Sequence, residues 1–181
     1  TDSLSNSSEQ AITVFVLDVD EASPVITGPS GGAGSNTSTV EINENSTAVH
    51  SFTATDDSSV TWSLNGGGDA SKFSITSAGV LSFATSPDYE TPSQAGATAN
   101  NYSVIVRATD SVTNTSDQTV TVTVADVDDT APVITGPSGG AGSSTSTVEI
   151  NENSTTVHGF SATDVDTTAD ATWSLNGGAD A

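Results

Sequence analysis

Carboxylates in this chain gather rather than scatter. They fall at Glu44 in Ile42-Asn43-Glu44-Asn45, and at Asp88 and Glu90 in Pro87-Asp88-Tyr89-Glu90. A further one is Asp110, in Arg107-Ala108-Thr109-Asp110, and several more crowd the run Asp126-Val127-Asp128-Asp129-Thr130-Ala131-Pro132. Like charges held close together repel, so a folded protein that collects them generally supplies a cation. Hard oxygen ligands in this number suit Ca2+, which takes roughly six to eight of them. Zinc and copper fit poorly, because the chain has no Cys and only 2 His. Carboxylate catalysis would need Asp88 and Glu90 to flank a cleft, and nucleophilic catalysis a hydroxyl with a base and an acid. Neither arrangement stands out, so no enzyme activity is expected.

Composition narrows the partners. The 181 residues carry 23 acidic side chains against 2 basic ones, Lys72 and Arg107, for a formal net charge of −21. So acidic a chain has almost nothing with which to displace counter-ions from nucleic acid, and nothing to attract it directly to an anionic membrane surface. No apolar run approaches the roughly 20 residues of a membrane-spanning helix. Without Cys there is neither a disulfide framework nor a thiolate site. Ser and Thr together number 58, and Val outnumbers Leu 19 to 5. Val and Thr are stiff at χ1 and favour pleated strands. With no initiator Met at its start, the chain reads as a piece of something larger.

An internal repeat organises the elements that must position these acids. Pro24–Asp56 and Pro132–Asp164 match at 29 of 33 positions, at an offset of 108 residues. Thr1–Ser23 matches Thr109–Ala131 more loosely, at 12 of 23. Three segments follow: residues 1–23 as the end of one repeat with its linker, 24–131 as a complete repeat with its linker, and 132–181 as the start of a third. The flanking pieces are expected to be incomplete sheets. Within the complete repeat, strands are marked by period two. Val120, Val122 and Val124 alternate with Thr, and Tyr102, Val104 and Val106 define another strand. Val60–Leu64, Phe52–Ala54 and Leu81–Phe83 alternate likewise, with Gly66-Gly67-Gly68, Ser77-Ala78-Gly79 and Thr91–Asn101 as turns. About seven short strands at this spacing predict an all-β antiparallel sandwich.

The ordered motifs resemble the cadherin repeat over essentially the whole chain. Glu44-Asn45 comes first, then Ala54-Thr55-Asp56, Trp62-Ser63-Leu64, Phe73-Ser74-Ile75, Asp88-Tyr89-Glu90, Val106–Asp110 and Asp126–Pro132. The Ser/Thr-rich, lysine-poor near-copies look like a bacterial surface-protein version. The resemblance implies tandem Ig-like sandwiches with a cluster of Ca2+ at each joint. At the joint after the complete repeat it assigns Glu44, Asp88, Glu90, Asp126, Asp128 and Asp129, with backbone carbonyls of Val127 and Thr130. Asp164 and Asp166 of the third repeat complete that set, and Asp128 stands where the family has Asn. The joint before the complete repeat would use Asp18, Asp20, Glu21, Asp56 and Asp110. It looks weaker, because Glu21 replaces an Asp and Ser58 stands where a second Asp belongs, with Asp57 as the adjacent substitute. Asp2 and Glu152 would serve further joints, leaving eight acids as ordinary surface charge.

Other features have plainer readings. Gly28–Gly34 lacks the Gly-Lys-Ser/Thr ending of a phosphate loop and reads as a crossover. His50 and Trp62 read as strand-face and core residues, as do their counterparts His158 and Trp173. Asn45-Ser46-Thr47 and Asn114-Thr115-Ser116 match a glycosylation pattern that arises by chance in so Ser/Thr-rich a chain. The function expected is a Ca2+-stiffened stalk of an extracellular adhesion protein, secreted or anchored at a cell surface. Its partners would be neighbouring repeats, with surface glycans or another cell's adhesin as candidates. A ligand- or glycan-binding module, or the stalk of a secreted enzyme, are the alternatives.

Overall fold

The two valine-rich alternations build the centre of the molecule. In the computed structural model, which describes residues 3–96, 98–166 and 171–177, eleven strands form. They are β1 Val25–Thr27, β2 Thr37–Asn43, β3 Ala48–Ser51, β4 Thr53–Thr55, β5 Thr61–Leu64, β6 Phe73–Ile75, β7 Val80–Phe83, β8 Asn101–Thr109, β9 Thr115–Ala125, β10 Val133–Thr135 and β11 Ser161–Thr163. β8 and β9 pair antiparallel, with Val104 opposite Val120 and Tyr102 opposite Val122. Their period of two turns Tyr102, Val104, Val106, Val120, Val122 and Val124 inward until each is essentially buried. β5 joins β8 on its far side with Trp62 opposite Ala108, so one sheet has the order β2-β9-β8-β5.

The second sheet, β3-β7-β6, supplies the opposing face. Phe73 and Phe83 lie with ring centroids 4.3 Å apart, and Tyr102 of the first sheet meets Phe83 edge-on at 5.1 Å. Such tilted and edge-on pairs are the favoured aromatic geometries. Phe52 interrupts a run that is β3 before it and β4 after it, and its amide donates to Gly79 O. β1 pairs with β4, with Ile26 buried opposite Ala54. Gly67 lies beneath β8 with φ +103, where a Cβ would come within 2.5 Å of Val104 Cα. Only glycine suits both that backbone region and that approach.

The sandwich expected from the sequence is present, with one departure from antiparallel pairing. β2 runs parallel to β9, with Val40 opposite Val122 and Ile42 opposite Val124. The glycine-rich segment after Thr27 carries the chain from the β1–β4 pair to the edge of the other sheet. On the way it folds back along β1, with Ala33 bridging antiparallel to Thr27, before β2 begins. Among the described residues, 3–23 form no strand, and the third segment forms only the pair β10–β11. Its register, Val133 opposite Thr163, repeats Val25 opposite Thr55.

Two of the acids read as surface charge are structural. Asp69 is buried and accepts hydrogen bonds from the amides of Ser103, at 2.8 Å, and Ala95. It ties the long segment before β8 to the start of that strand. Asp117 sits opposite Arg107 in the β8–β9 register and takes a two-pronged ion pair, Nε to Oδ1 at 2.7 Å and Nη2 to Oδ2 at 2.8 Å. Hydrogen bonding from Arg107, and then from Asn65, holds the Asp117 carboxyl below its usual range.

Two outcomes follow for stability. Val122→Ala removes two buried methyls and should cost about 1.5–3 kcal/mol in urea unfolding, whereas Val112→Ala at an exposed turn should stay within about 0.5 kcal/mol. Arg107→Ala should cost less than about 1 kcal/mol at neutral pH, because both partners are more than a third exposed. Asp117 has a depressed folded-state pKa, so its contribution is present above the unfolded carboxylate pKa and is lost as pH falls through the folded value. The difference between wild type and Arg107→Ala should therefore close in strong acid, as chemical denaturation across a pH series would show.

Candidate metal centre

The parallel register of β2 on β9 decides where the acids meet. Asn43 ends β2 opposite Ala125, and the next amide, Glu44 N, donates to Ala125 O at 3.0 Å. Glu44 is thereby set beside the linker that leaves β9. Its side chain is buried, and each oxygen takes one amide: Oε1 from Val127 at 2.8 Å and Oε2 from Tyr89 at 2.7 Å. Asn45 follows in the left-handed region with φ 60, which Asn tolerates better than most residues. From there its amide reaches Pro87 O at 3.0 Å, and its side-chain Nδ2 donates to Asp129 Oδ2 at 2.6 Å. One turn thus fastens the 87–90 segment and the linker to the end of β2.

The third segment closes the arrangement. Asp166 is buried, and its Oδ2 accepts the amides of Asp129, at 2.9 Å, and Thr130, at 2.7 Å. Asp164 Oδ1 in turn accepts the Asp166 amide at 3.2 Å. Carboxylate oxygens of Glu44, Asp88 and Glu90 lie within 4.8 Å of one another, and so do those of Glu90, Asp129 and Asp166. Glu90 belongs to both groups. Its Oε1 is buried without a hydrogen-bond partner, as is Asp166 Oδ1.

Electrostatics agree with that crowding. The Glu90 carboxyl is pushed above its usual range by loss of water, then by the nearby charges of Glu44, Asp166 and Asp126. Asp128 is raised for the same first reason, followed by Asp166, Asp164 and Asp126. Asp88 goes the other way, because hydrogen bonds from Thr91 favour its charged form. Ionised together without a counter-charge, these groups oppose one another. A hard dication would satisfy both the orphaned oxygens and the charge, so the residues present fit calcium.

The earlier joint is assembled from fewer acids. Asp20, Asp56 and Asp110 bring oxygens within 4.8 Å of one another. Asp110 is buried, and its carboxylate accepts from the amides of Val112 and Asn114 and from Asn114 Nδ2. That same Nδ2 reaches Asp20 O at 3.3 Å. Ser58, where a second Asp was expected, turns its hydroxyl onto Asp56 Oδ2 at 2.9 Å. Asp18, Glu21 and Asp57 are exposed and lie outside the three-acid group. Buried Asp20 Oδ2 and Asp56 Oδ1 lack hydrogen-bond partners, as at the other joint. Glu152 is exposed, and Asp2 lies outside the described residues.

The cadherin domain family matches residues 38–125. The folded unit is a cadherin-like repeat. Solved structures agree in fold. The human CDH23 EC21–23 structure aligns at 22% identity over 83% of this chain and 46% of its own, with TM-score 0.56. Human protocadherin-24 EC1–2 aligns at 19% identity over 81% and 63%, with TM-score 0.54. The human desmocollin-1 ectodomain aligns at 17% identity over 85% and 28%, also at 0.54. The chain thus spans less than two thirds of each of these ectodomain structures. A search of curated proteins finds no match.

Within the cadherin-like repeat, sequence motifs named the carboxylates but not how they are held. The bridge from Asn45 to Asp129 and the two linker amides on Asp166 carry no signal beyond the motifs that contain them. Asp166→Ala should leave the Asp129 and Thr130 amides without their acceptor. Hydrogen exchange at those two amides should accelerate roughly tenfold or more, while Asp166→Asn, which keeps a carbonyl oxygen, should retain most of the protection.

Proposed function

We propose that this segment is a calcium-dependent, rod-forming piece of an extracellular adhesion protein, of the kind displayed on bacterial surfaces. The reading is carried by one observation: carboxylates converge from a repeat, its linker and the following segment, and leave buried oxygens with no hydrogen-bond partner. Glu44, Asp88, Glu90, Asp126, Asp128, Asp129, Asp164 and Asp166 would hold calcium at the later joint, with the carbonyls of Val127 and Thr130. Asp20, Asp56 and Asp110 would hold a smaller complement at the earlier one, with Asp18 and Glu21 as outlying donors. Bound calcium would supply the positive charge that lets these acids stay ionised side by side.

The protein's own part is to gather and orient. Glu44 fixes the linker through Val127, and Asp166 fixes it from the other side through Asp129 and Thr130. Deprived of counter-charge, the acids repel across the joint, and successive repeats are freer to swivel. Held together, they make the joint a strut. The Ser/Thr-rich composition and near-identical repeats favour a spacer over a unique recognition surface. No helix among the described residues is long and apolar enough to cross a membrane.

Isothermal calorimetry on the full chain should show heat on adding Ca2+, with dissociation constants on the order of 10⁻⁴–10⁻³ M and a rise in thermal midpoint. Magnesium should produce no comparable shift, being smaller and reluctant to shed water. Glu90→Gln should weaken the later site, since Glu90 belongs to both acid groups there. Absence of both heat and midpoint shift at millimolar Ca2+ would sink the reading.

A further inference from the structure

Two strands take the load when the ends of the complete repeat are pulled apart. Asp20, just before the repeat, is tied to Asn114 at the start of β9, whereas the linker leaves from Ala125 at its end. A pull along a stalk therefore enters at Pro24 and leaves beyond Ala125. The first strand it meets is β1, which has three partners in β4, at Val25, Ile26 and Thr27. The next is β2, whose seven residues Thr37–Asn43 are all paired with β9. β2 is drawn from its start and β9 from its end. The evenly spaced bonds of this parallel ladder are thus sheared together rather than opened one by one.

Between β1 and β2 lies a closed loop. Gly34 N donates to Ile26 O at 2.8 Å, and Ala33 bridges to Thr27. The chain from Ile26 to Gly34 thus returns to its starting point, and roughly 27 Å of extendable backbone adds nothing to the length of the repeat. Gly31 and Gly32 make the reversal at φ +87 and +77, where glycine is at ease. Just past the loop the hold on β9 tightens. Asn36 O accepts the Thr119 amide at 2.9 Å. Gln118 of β9 is fully buried. Its Nε2 donates to Ser35 O at 2.7 Å, and its Oε1 accepts from Ser38 Oγ at 3.0 Å. Room for it exists because Gly28 has no side chain: a Cβ there would lie 2.0 Å from Gln118 Oε1. The third segment closes the same loop, Gly142 N to Ile134 O at 2.8 Å, with Ala141 bridging to Thr135.

We infer that the repeat yields to tension in two stages, with residues 26–34 as a reserve of length. β1 slides from β4 first, the closure between Ile26 and Gly34 opens, and the repeat lengthens by about 2–3 nm. The load then reaches β2, where the ladder to β9 and the Gln118 contacts keep the sandwich shut. The two sheets that enclose the core, β2-β9-β8-β5 and β3-β7-β6, contain no strand paired with β1, so the first stage leaves both intact. When tension falls, the buried site of Ile26 draws β1 back. No acid lies between Pro24 and Asn36, so the reserve works without calcium. This goes beyond stiffening of the joints: a stalk of such repeats would stretch before any sandwich is lost, each repeat adding its own increment.

Single-molecule tweezers on the full chain test it. The chain has no Cys, so Ser23→Cys and Ala131→Cys, both at exposed positions, give unique handles. Pulling in EDTA should show a reversible first step of about 2–3 nm, then a far longer one at higher force as the sandwich unfolds. Two glycines inserted after Gly32, where a side chain would meet nothing within 4 Å, should lengthen the first step by about 0.7 nm and leave the second force unchanged. Gln118→Ala should speed the second step roughly tenfold at fixed force, through loss of its buried hydrogen bonds, and leave the length of the first unchanged. Millimolar Ca2+ should not alter that length, so two steps in a chain that gives no calcium heat would leave this inference standing without the calcium reading. The inference is overturned if the chain unfolds in one step, if the first step ignores the inserted glycines, or if calcium abolishes it.

Discussion

Glu44 is a carboxylate with little water around it, and its two oxygens are committed to two amides from different parts of the chain, Val127 and Tyr89. A buried carboxylate is costly unless such donors meet it, and charge-assisted bonds to backbone N–H are among the stronger ones available. The arrangement exists because β2 pairs parallel with β9, which delivers Glu44 to the point where the linker departs. The 87–90 segment, the linker and, through Asn45, Asp129 are all located relative to this one side chain. Without it, the remaining acids would still be close in sequence motifs, but they would have no common origin in space.

The two joints solve the same problem with different reserves. At the later joint Asp166 grips two linker amides and still has an oxygen to spare. At the earlier one Ser58 occupies the matching position and spends its hydroxyl on Asp56. A serine there removes one negative charge and one strong acceptor, so the linker between Asp20 and Pro24 has fewer fixed points. Near-identity between the copies, 29 of 33 positions over their first strands, therefore does not make the joints equivalent. The four changes spare the acids in that stretch; the difference arises just after it, where the repeats diverge.

Period-two alternation made the sandwich and its inward faces legible, because every buried residue of β8 and β9 sits on the face that alternation assigns. The acids of the joints were legible for a different reason: their types and order leave few chemical uses. Hidden from the sequence was whatever depends on how one sheet meets the other. The parallel pairing of β2 follows from a crossover whose destination no local pattern specifies. Asp69 has the composition of a surface acid and becomes internal only because the Thr91–Asn101 segment folds over it. Gln118 looks like one more polar residue in a Thr-rich strand until Gly28 opens a pocket for it. These are tertiary facts, and each turns on a neighbour more than twenty residues away.

The scarcity of cations reaches further than charge balance. Trypsin-like enzymes cut after Lys or Arg, so this chain offers them two bonds in 181 residues. Neither is presented. Lys72 ends a single 3-10 turn, its amide bonded to Asp69 O and its carbonyl taken by Ala84 N. Arg107 lies in the ladder of β8, clamped by Asp117. The linkers, which are the segments a protease would ordinarily reach first, contain no basic residue at all. A rod built of such repeats would pass a whole class of digestive and defensive proteases by composition alone, whether its joints were stiff or slack.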